Sequence, residues 1–344
     1  MTKKPPQRPA TLADIARHAG VSRSLASLAI RGEGAVSPET RKRIMEAAAA
    51  LDYRPNLVAR SLASAEAGYL GIVVGEIENP LQAEIAKLAS GLARAEGYSA
   101  LVSIDADTDE KAEEAIRTLI AHRVSGVLAI GAPFEKPAIA RVASWIPMVY
   151  VGRLLKVVAV DSVTTDDVTG GMLAVDHLVA LGHRRIAHVD GGASPGAERR
   201  RDGYRRAMER HGLERQIRII EGAYTIDAGA RAARALLTEP DWRPSAVFAS
   251  NDMTAIGLIN EAMRMGLSVP GDLSVVGYDD VTLAGTETLS LSTIHQSAGD
   301  LASAGIAAMM ARLAEPDAAV SKILVPPRLM TRRSSAPFSA TAAA

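Results

Sequence analysis

The 344-residue chain contains no cysteine. Disulfides and thiolate metal sites are thereby excluded, as suits a reducing compartment. Long apolar runs are missing as well. Stretches such as Ile72-Val73-Val74 and Ala246-Val247-Phe248-Ala249 fall far short of the roughly 20 residues that a membrane helix needs. Met1-Thr2-Lys3-Lys4-Pro5-Pro6 has basic residues but no apolar stretch behind it, so no secretory leader is expected. Net charge is absent too: 39 basic residues balance 39 acidic ones, with 48% hydrophobic residues. The expectation is a soluble, cytoplasmic protein without a membrane partner, of two or three domains at about 150 residues each.

Catalytic constellations are equally scarce. The seven histidines (His18, His122, His177, His183, His188, His211 and His295) show no H-E-x-x-H spacing, and no Gly-Lys-Ser/Thr phosphate loop occurs. Gly192-Ala193-Ser194-Pro195-Gly196 has the G-x-S-x-G form of a nucleophile elbow. An elbow needs the N–H of the residue after the serine for its oxyanion hole, and Pro195 has none. Asp166-Asp167 and Asp279-Asp280 are adjacent pairs whose side chains diverge on one strand or turn. The first reads as hinge structure. No enzyme, metal or cofactor is expected.

What is present is an uneven distribution of charge. Residues 1–64 carry 11 Lys and Arg against five acids, which leaves 28 basic residues against 34 acidic ones in the remainder. A basic module on an acidic body suits a protein that holds a polyanion at one end. Within that module, Leu12, Ile15, Ala16 and Ala19 recur at helical spacing after Thr11, and Gly20 supplies a tight turn. Val21 is a buried corner and Ser22 an N-cap for a second helix, Arg23 to Ile30. So short a turn allows only a crossed helix pair, which is helix-turn-helix geometry. Ala26, Ala29 and Ile30 face inward there, leaving Arg23, Ser24, Ser27, Leu28 and Arg31 outside. Ser37-Pro38-Glu39-Thr40 starts a third helix that runs to about Leu51. Asn56 caps Leu57 to Ala63, two turns too short to hold a helix in water unaided.

Thr11-Leu12-Ala13-Asp14-Ile15-Ala16, Ala19-Gly20-Val21-Ser22, Val36-Ser37-Pro38-Glu39-Thr40-Arg41 and Tyr53-Arg54-Pro55-Asn56 running into Ala59-Arg60-Ser61-Leu62 resemble the DNA-binding region of the lactose-repressor (LacI/GalR) family. Four linked blocks at the family's spacing are highly specific. The resemblance implies that the second helix enters the major groove of a palindromic operator, with Arg23 and Ser24 against base edges and Leu28 close by. Thr11, Ser22, Ser27, Arg31, Ser37 and Tyr53 would contact the phosphate and sugar backbone. Asn56 would cap a hinge helix whose Ala59 and Leu62 enter the minor groove, Leu62 as the wedge that bends the site. The family usually reads Thr-Val-Ser-Arg where this chain has Leu25-Ala26-Ser27-Leu28, and Asn at Arg31. An altered operator is the expected consequence.

From Gly68 onward, short β-branched runs alternate with amphipathic helices. Leu70–Val74, Ser99–Ile104, Gly126–Ile130, Met148–Val151, Ile186–Val189, Arg218–Glu221, Ala246–Ala249 and Ser274–Gly277 read as strands. Gln82–Glu96, Asp109–Ala121 and Val168–Leu181 read as helices. The fold class is therefore α/β: two lobes of parallel sheet flanked by helices, with the cleft between them as the natural ligand site. The resemblance continues through Asn79-Pro80, Leu181-Gly182-His183-Arg184-Arg185-Ile186, Arg200-Arg201-Asp202-Gly203-Tyr204, Ala249-Ser250-Asn251-Asp252, Ser274 to Asp280, and Ser292 to Gln296. It implies a periplasmic-binding-protein-like (type I) body with three crossovers. Its effector pocket would use Arg153, Arg200, Tyr224, Asn251, Asp279 and Gln296, with Leu81 nearby in place of the family's usual aromatic.

The expected division is 1–55 for the helix-turn-helix head, 56–66 for the hinge, 67–335 for the effector-binding and dimerisation body, and 336–344 for a flexible tail. The expected function is repression of a catabolic operon by a homodimer, controlled by a sugar or polyol effector bound between the lobes. A transport solute-binding protein is the alternative. It shares the body but calls for a leader and no basic head.

Overall fold

The computed structural model describes residues 10–53, 68–104, 106–134, 136–155, 160–239 and 241–339, excluding the side chains of Arg31 and Lys136. The chain divides into two compact units, 1–67 and 68–344.

The described part of the first unit is three helices, α1 (Leu12–Ala19), α2 (Arg23–Arg31) and α3 (Pro38–Ala50). Each begins at the residue type that satisfies orphan N–H groups. Thr11 forms a reciprocal capping box with Asp14, Ser22 Oγ accepts from the Leu25 N–H at 3.1 Å, and Ser37 Oγ accepts from that of Thr40 at 3.3 Å. Gly20 and Gly32 close α1 and α2 in the left-handed conformation, at φ 63° and 77°. The core is built from small residues, Ala16, Ala19, Ala26, Ala29 and Ala47, around Ile15 and Ile44. Alanine lets the helix axes approach closely, and the Arg41 guanidinium bonds the Ala29 carbonyl at 2.8 Å to tie α3 to the end of α2.

The second unit has two lobes. The first holds β1 (Tyr69–Val74), α4 (Pro80–Ala95), β2 (Ser99–Ser103), α5 (Asp109–Ala121), β3 (Val124–Ile130), α6 (Lys136–Ala143), β4 (Met148–Val151) and β5 (Asp161–Thr165). The second follows with α7 (Asp167–Ala180), β6 (Ile186–Val189), α8 (Ala197–Arg210), β7 (Arg218–Ile220), α9 (Ile226–Leu237), β8 (Ala246–Ala249), α10 (Asp252–Arg264), β9 (Ser274–Asp279) and β10 (Ser292–His295). The chain then returns for α11 (Ala298–Ala314) and β11 (Lys322–Val325) on the first sheet, and crosses once more to β12 (Arg328–Met330) on the second. Sheet orders are β11-β5-β4-β3-β1-β2 and β12-β10-β9-β8-β6-β7. All pairings are parallel except β10 with β12. Three crossovers thus join the lobes, and each sheet is packed on both faces by apolar clusters. Among the described residues no helix is long and apolar enough to cross a membrane.

Among the described residues each lobe has six strands where sequence patterning had shown four. The strand missed in the first lobe's interior, β5, reads Asp-Ser-Val-Thr-Thr and yet is fully buried. Its polarity is matched within the fold, because Asp161 is ion-paired with Arg312 of α11 at 2.8 Å and accepts from the Ser321 N–H at 2.7 Å. The strand β10 was legible only as a crossing segment, while β11 and β12 sit at sheet edges. Part of the segment expected as a flexible tail is ordered. Residues 336–338 are fixed to the second lobe, where the Phe338 N–H donates to the Leu181 carbonyl at 2.8 Å and the Ala336 carbonyl lies 3.1 Å from His183 Nε2.

Candidate functional site

On the head, Arg23 and Ser24 are exposed at the start of α2, Ser27 is half-buried, and Leu28 is half-buried too instead of facing out. The Leu28 δ-methyl groups lie over Gly34, where a side chain would meet them at 3.4 Å. Part of the leucine side chain is thus taken up within the head. The three capping hydroxyls all sit at helix N-termini, where unpaired N–H groups and the helix dipole attract phosphate. They are not equivalent. Thr11 Oγ1 donates to Asp14 Oδ2 at 2.7 Å and Ser37 Oγ donates to Thr40 Oγ1 at 2.8 Å, so both protons are spent within the fold. Among the described residues Ser22 Oγ only accepts, so its proton has no acceptor there. Tyr53 is half-buried against the head core, and burial raises the pKa of its hydroxyl. The Arg31 side chain, Asn56, Ala59 and Leu62 lie outside the described residues.

In the body, the carboxyl ends of the strands of both lobes face one another. Leu81 and Gln82 from α4, Thr165 from β5, Arg200 from α8, Tyr224, Asp279 and Gln296 line one cavity there. Five of the seven expected effector residues therefore converge. Arg200 is 4% exposed. Its Nε donates to Asp167 Oδ1 at 2.9 Å and its Nη1 to the Ser250 carbonyl at 2.6 Å, while Nη1 stands 3.6 Å from Asp279 Oδ1. The guanidinium also lies over the Tyr278 ring, 3.8 Å from its centroid. A buried cation is tolerable only when this completely partnered.

Asp279 holds an unusual backbone, φ 110°, at the end of β9. Such a conformation costs on the order of 1–3 kcal/mol in a non-glycine residue and survives only where its surroundings impose it. It turns the carboxylate into the cleft. Burial pushes the Asp279 carboxyl up to about 6, against the pull of Arg200 and of the hydrogen bond from Gln296. Gln296 Nε2 donates to Asp279 Oδ1 at 2.6 Å, and its Oε1 accepts from Thr165 Oγ1, also at 2.6 Å. A continuous polar chain thus runs from the first lobe through the crossover segment to the second. Tyr224 Oη donates to the Pro195 carbonyl at 2.9 Å, so the Gly192–Gly196 loop serves as a wall of the cleft.

Two expected residues are elsewhere. Asn251 is the N-cap of α10, where its Oδ1 accepts from the Thr254 N–H at 2.8 Å and from Thr254 Oγ1 at 2.7 Å. Its amide donates to the Tyr224 carbonyl at 3.4 Å, so it supports Tyr224 from behind. Arg153 bonds the Phe134 carbonyl and lies near the Tyr150 ring of the first lobe. Neither lines the cavity. In the other direction, Asn79, Gln82, Thr165 and Pro195 line it without having been singled out as ligand residues. Asn79-Pro80 was visible as a loop mark, but Thr165 lies on β5, which the patterning had not marked as a strand.

The cavity measures about 40 Å³. A water needs some 10–15 Å³ on this scale and ligand pockets run to about 300–1,000 Å³. The enclosed part of the cleft is therefore too small for a pyranose, and a space of about 260 Å³ that shares Leu81, Asp279 and Gln296 adjoins it.

A helix-turn-helix head followed by a two-lobed α/β body with a polar inter-lobe cavity defines a DNA-binding regulator of ligand-sensing type. Residues 11–56 match the bacterial regulatory proteins of the lacI family, and residues 175–335 match the periplasmic binding protein-like domain. Catabolite control protein A of Priestia megaterium is 30% identical over 329 residues, covering 94% of this chain and 99% of that protein. The ribose operon repressor of Escherichia coli K12 is 31% identical over 330 residues, covering 95% and 100%. The crystal structure of the Lac repressor bound to ONPG in the repressed state superposes with a TM-score of 0.85 at 28% identity, covering 95% of this chain and 100% of that one. The chain belongs to the lacI family of bacterial transcription regulators, proteins that bind DNA and do not catalyse.

Proposed function

We propose that this regulator is a cytoplasmic, homodimeric repressor of a catabolic operon, released from or held to a palindromic operator by a sugar or polyol bound between the lobes. The observation that carries the effector reading is the Thr165–Gln296–Asp279–Arg200 chain. It presents a hydroxyl, an amide, a carboxylate and a guanidinium, the donors and acceptors that recognise vicinal hydroxyls. It also spans both lobes, so a ligand that replaces these bonds has different affinities for the closed and open arrangements. Only such a difference can shift operator affinity.

On the head, Arg23 and Ser24 would read bases, Ser22 and Tyr53 phosphates, and Ser27, Thr11 and Ser37 would hold the helices that present them. Residues 1–55, 56–66 and 67–335 serve as head, hinge and body. The hinge roles of Asn56, Ala59 and Leu62 rest on sequence alone. Dimerisation is supported by apolar side chains left exposed on the body: Val102 (50%) on edge strand β2 and Ile104 (49%) just after it, and Met263 (62%) and Leu283 (51%) on the second lobe. Edge strands and large apolar side chains in such positions call for a covering partner.

Selection of random duplex DNA by the full chain at moderate salt tests the reading. A palindrome should be enriched, with affinity falling steeply as salt rises and changing when ribose, other pentoses, hexoses or polyols are added. Enrichment of no sequence, with or without any of these ligands, would sink it.

A further inference from the structure

On the second lobe, at the amino ends of β6, β8 and β9 and thus opposite the inter-lobe cleft, lies a groove of about 330 Å³. Arg184, Arg185 and Arg243 line it. None of the three makes an ion pair or a side-chain hydrogen bond to a carboxylate among the described residues, and all are exposed. The carboxylate that shares the groove, Asp272, accepts from the Ser268 N–H at 2.7 Å and its hydroxyl at 2.6 Å, and Arg243 acts on it only at a distance, helping those bonds to lower its pKa. The groove thus carries an excess of two positive charges, three arginines against one carboxylate.

Its floor is rigid. His183 Nδ1 is 2.9 Å from Ser245 Oγ, and its Nε2 is 3.0 Å from Ser274 Oγ and 3.1 Å from the Ala336 carbonyl, linking the starts of two strands to the C-terminal segment. Burial lowers the His183 pKa, so the charge of the groove comes from the arginines. The Phe338 ring stands edge-on to His183 at 5.7 Å and remains 45% exposed, an apolar flank beside the cationic one.

We propose that this groove is a second ligand site, separate from the inter-lobe cleft, and that it takes a small phosphate monoester with a ring. The volume sits at the small end of the range for metabolite pockets, about 300–1,000 Å³. Guanidinium groups match phosphate oxygens bidentately. The excess charge equals that of a phosphate monoester, roughly −1.5 to −2 at neutral pH. Phe338 supplies the face for the ring.

Isothermal titration of the full chain with phenyl phosphate, and separately with inorganic phosphate, tests the site. One saturable site per chain is expected for phenyl phosphate, at least about ten-fold tighter than inorganic phosphate. The double variant Arg184→Ala/Arg243→Ala, which alters only exposed side chains, should weaken it ten-fold or more. Phe338→Ala should bring phenyl phosphate down to the level of inorganic phosphate. Because the head also attracts phosphates, Arg23→Ala is the control and should leave the titration unchanged. Absence of saturable binding up to 10 mM, on the order of the weakest affinities that arithmetic makes useful, would overturn the proposal. So would binding that survives the double variant, and equal affinity for the two probes would overturn the ring.

Discussion

Removing Gln296 should loosen the closed body by a calculable amount. In Gln296→Ala two buried hydrogen bonds of 2.6 Å disappear together, one from Thr165 Oγ1 and one to Asp279 Oδ1. A neutral bond contributes about 1 kcal/mol and one to a charged group about 1.5–3 kcal/mol, so the gross loss is roughly 2.5–4 kcal/mol. The vacated volume adjoins a polar cavity of about 40 Å³, which admits water that re-pairs part of what is exposed. A net loss of about 1–3 kcal/mol is therefore expected. Urea unfolding of the full chain at 25 °C, without sugar, measures it. Thr165→Val removes only the neutral bond and should cost about 1 kcal/mol. In the double variant that cost should largely vanish, giving a coupling near 1 kcal/mol in the mutant cycle. If Gln296→Ala lies within 0.5 kcal/mol of the wild type, about the additivity error of such cycles, or if the coupling is zero, the polar chain does not hold the lobes together.

Ser22→Ala removes the cap of α2 and should destabilise the head by about 1 kcal/mol in thermal melts of the full chain, together with weaker operator binding in a filter assay. Arg23→Ala should cost about 1–3 kcal/mol at a single operator position and relax specificity there, which a second round of duplex selection would reveal. His188 is stacked between Phe248 and Tyr204 at centroid distances of 4.6 and 5.2 Å, and burial lowers its pKa to about 4. The unfolded chain then binds the extra proton between about 6.5 and 4, so stability is lost as the pH falls through that window. Asp279, raised to about 6, acts in the opposite sense, its contribution growing as the pH falls from about 6 towards 4. His188→Phe should make the wild type's acid-side stability loss shallower in urea titrations, and an unchanged pH profile would contradict the assignment. Ile104→Lys puts a charge just beyond the end of β2 and should shift the dimer towards monomer in sedimentation at micromolar concentration, whereas an unchanged mass would move the interface elsewhere.

Much of this molecule could be read from residue order, for identifiable reasons. Capping residues announce themselves locally, so Thr11, Ser22, Gly20 and Ser37-Pro38 placed the head helices nearly to the residue. Apolar runs such as Leu70–Val74 and Ala246–Ala249 marked buried parallel strands in the same way. Polarity misled where burial is satisfied at long range. Asp161 became a strand residue because Arg312 and Ser321, far along the chain, neutralise it. Family position located Arg200, Asp279 and Gln296 in the cleft, whereas the capping bonds of Asn251 to Thr254 could not be read from it. Direction was beyond reach as well: Arg153 has the right neighbours in sequence and bonds the Phe134 carbonyl in its own lobe instead. The Thr165–Gln296 bond spans 131 residues and has no local signature at all.

The three crossovers leave from β5, β10 and β11, and in both sheets these strands and their partner β12 form one edge. Motion between the lobes is consequently that of a lever with its fulcrum at this edge. Thr165 and Gln296 sit beside the fulcrum, where parting is smallest. At about 4.8 Å per strand, β2 lies roughly 19 Å further out, four strands from β5. A ligand that separates the Thr165–Gln296 pair by the thickness of a hydroxyl therefore sweeps the far edge through several times that distance. Val102 and Ile104 ride on that far edge, which makes short displacements at the cleft a large change at the surface offered to a second copy.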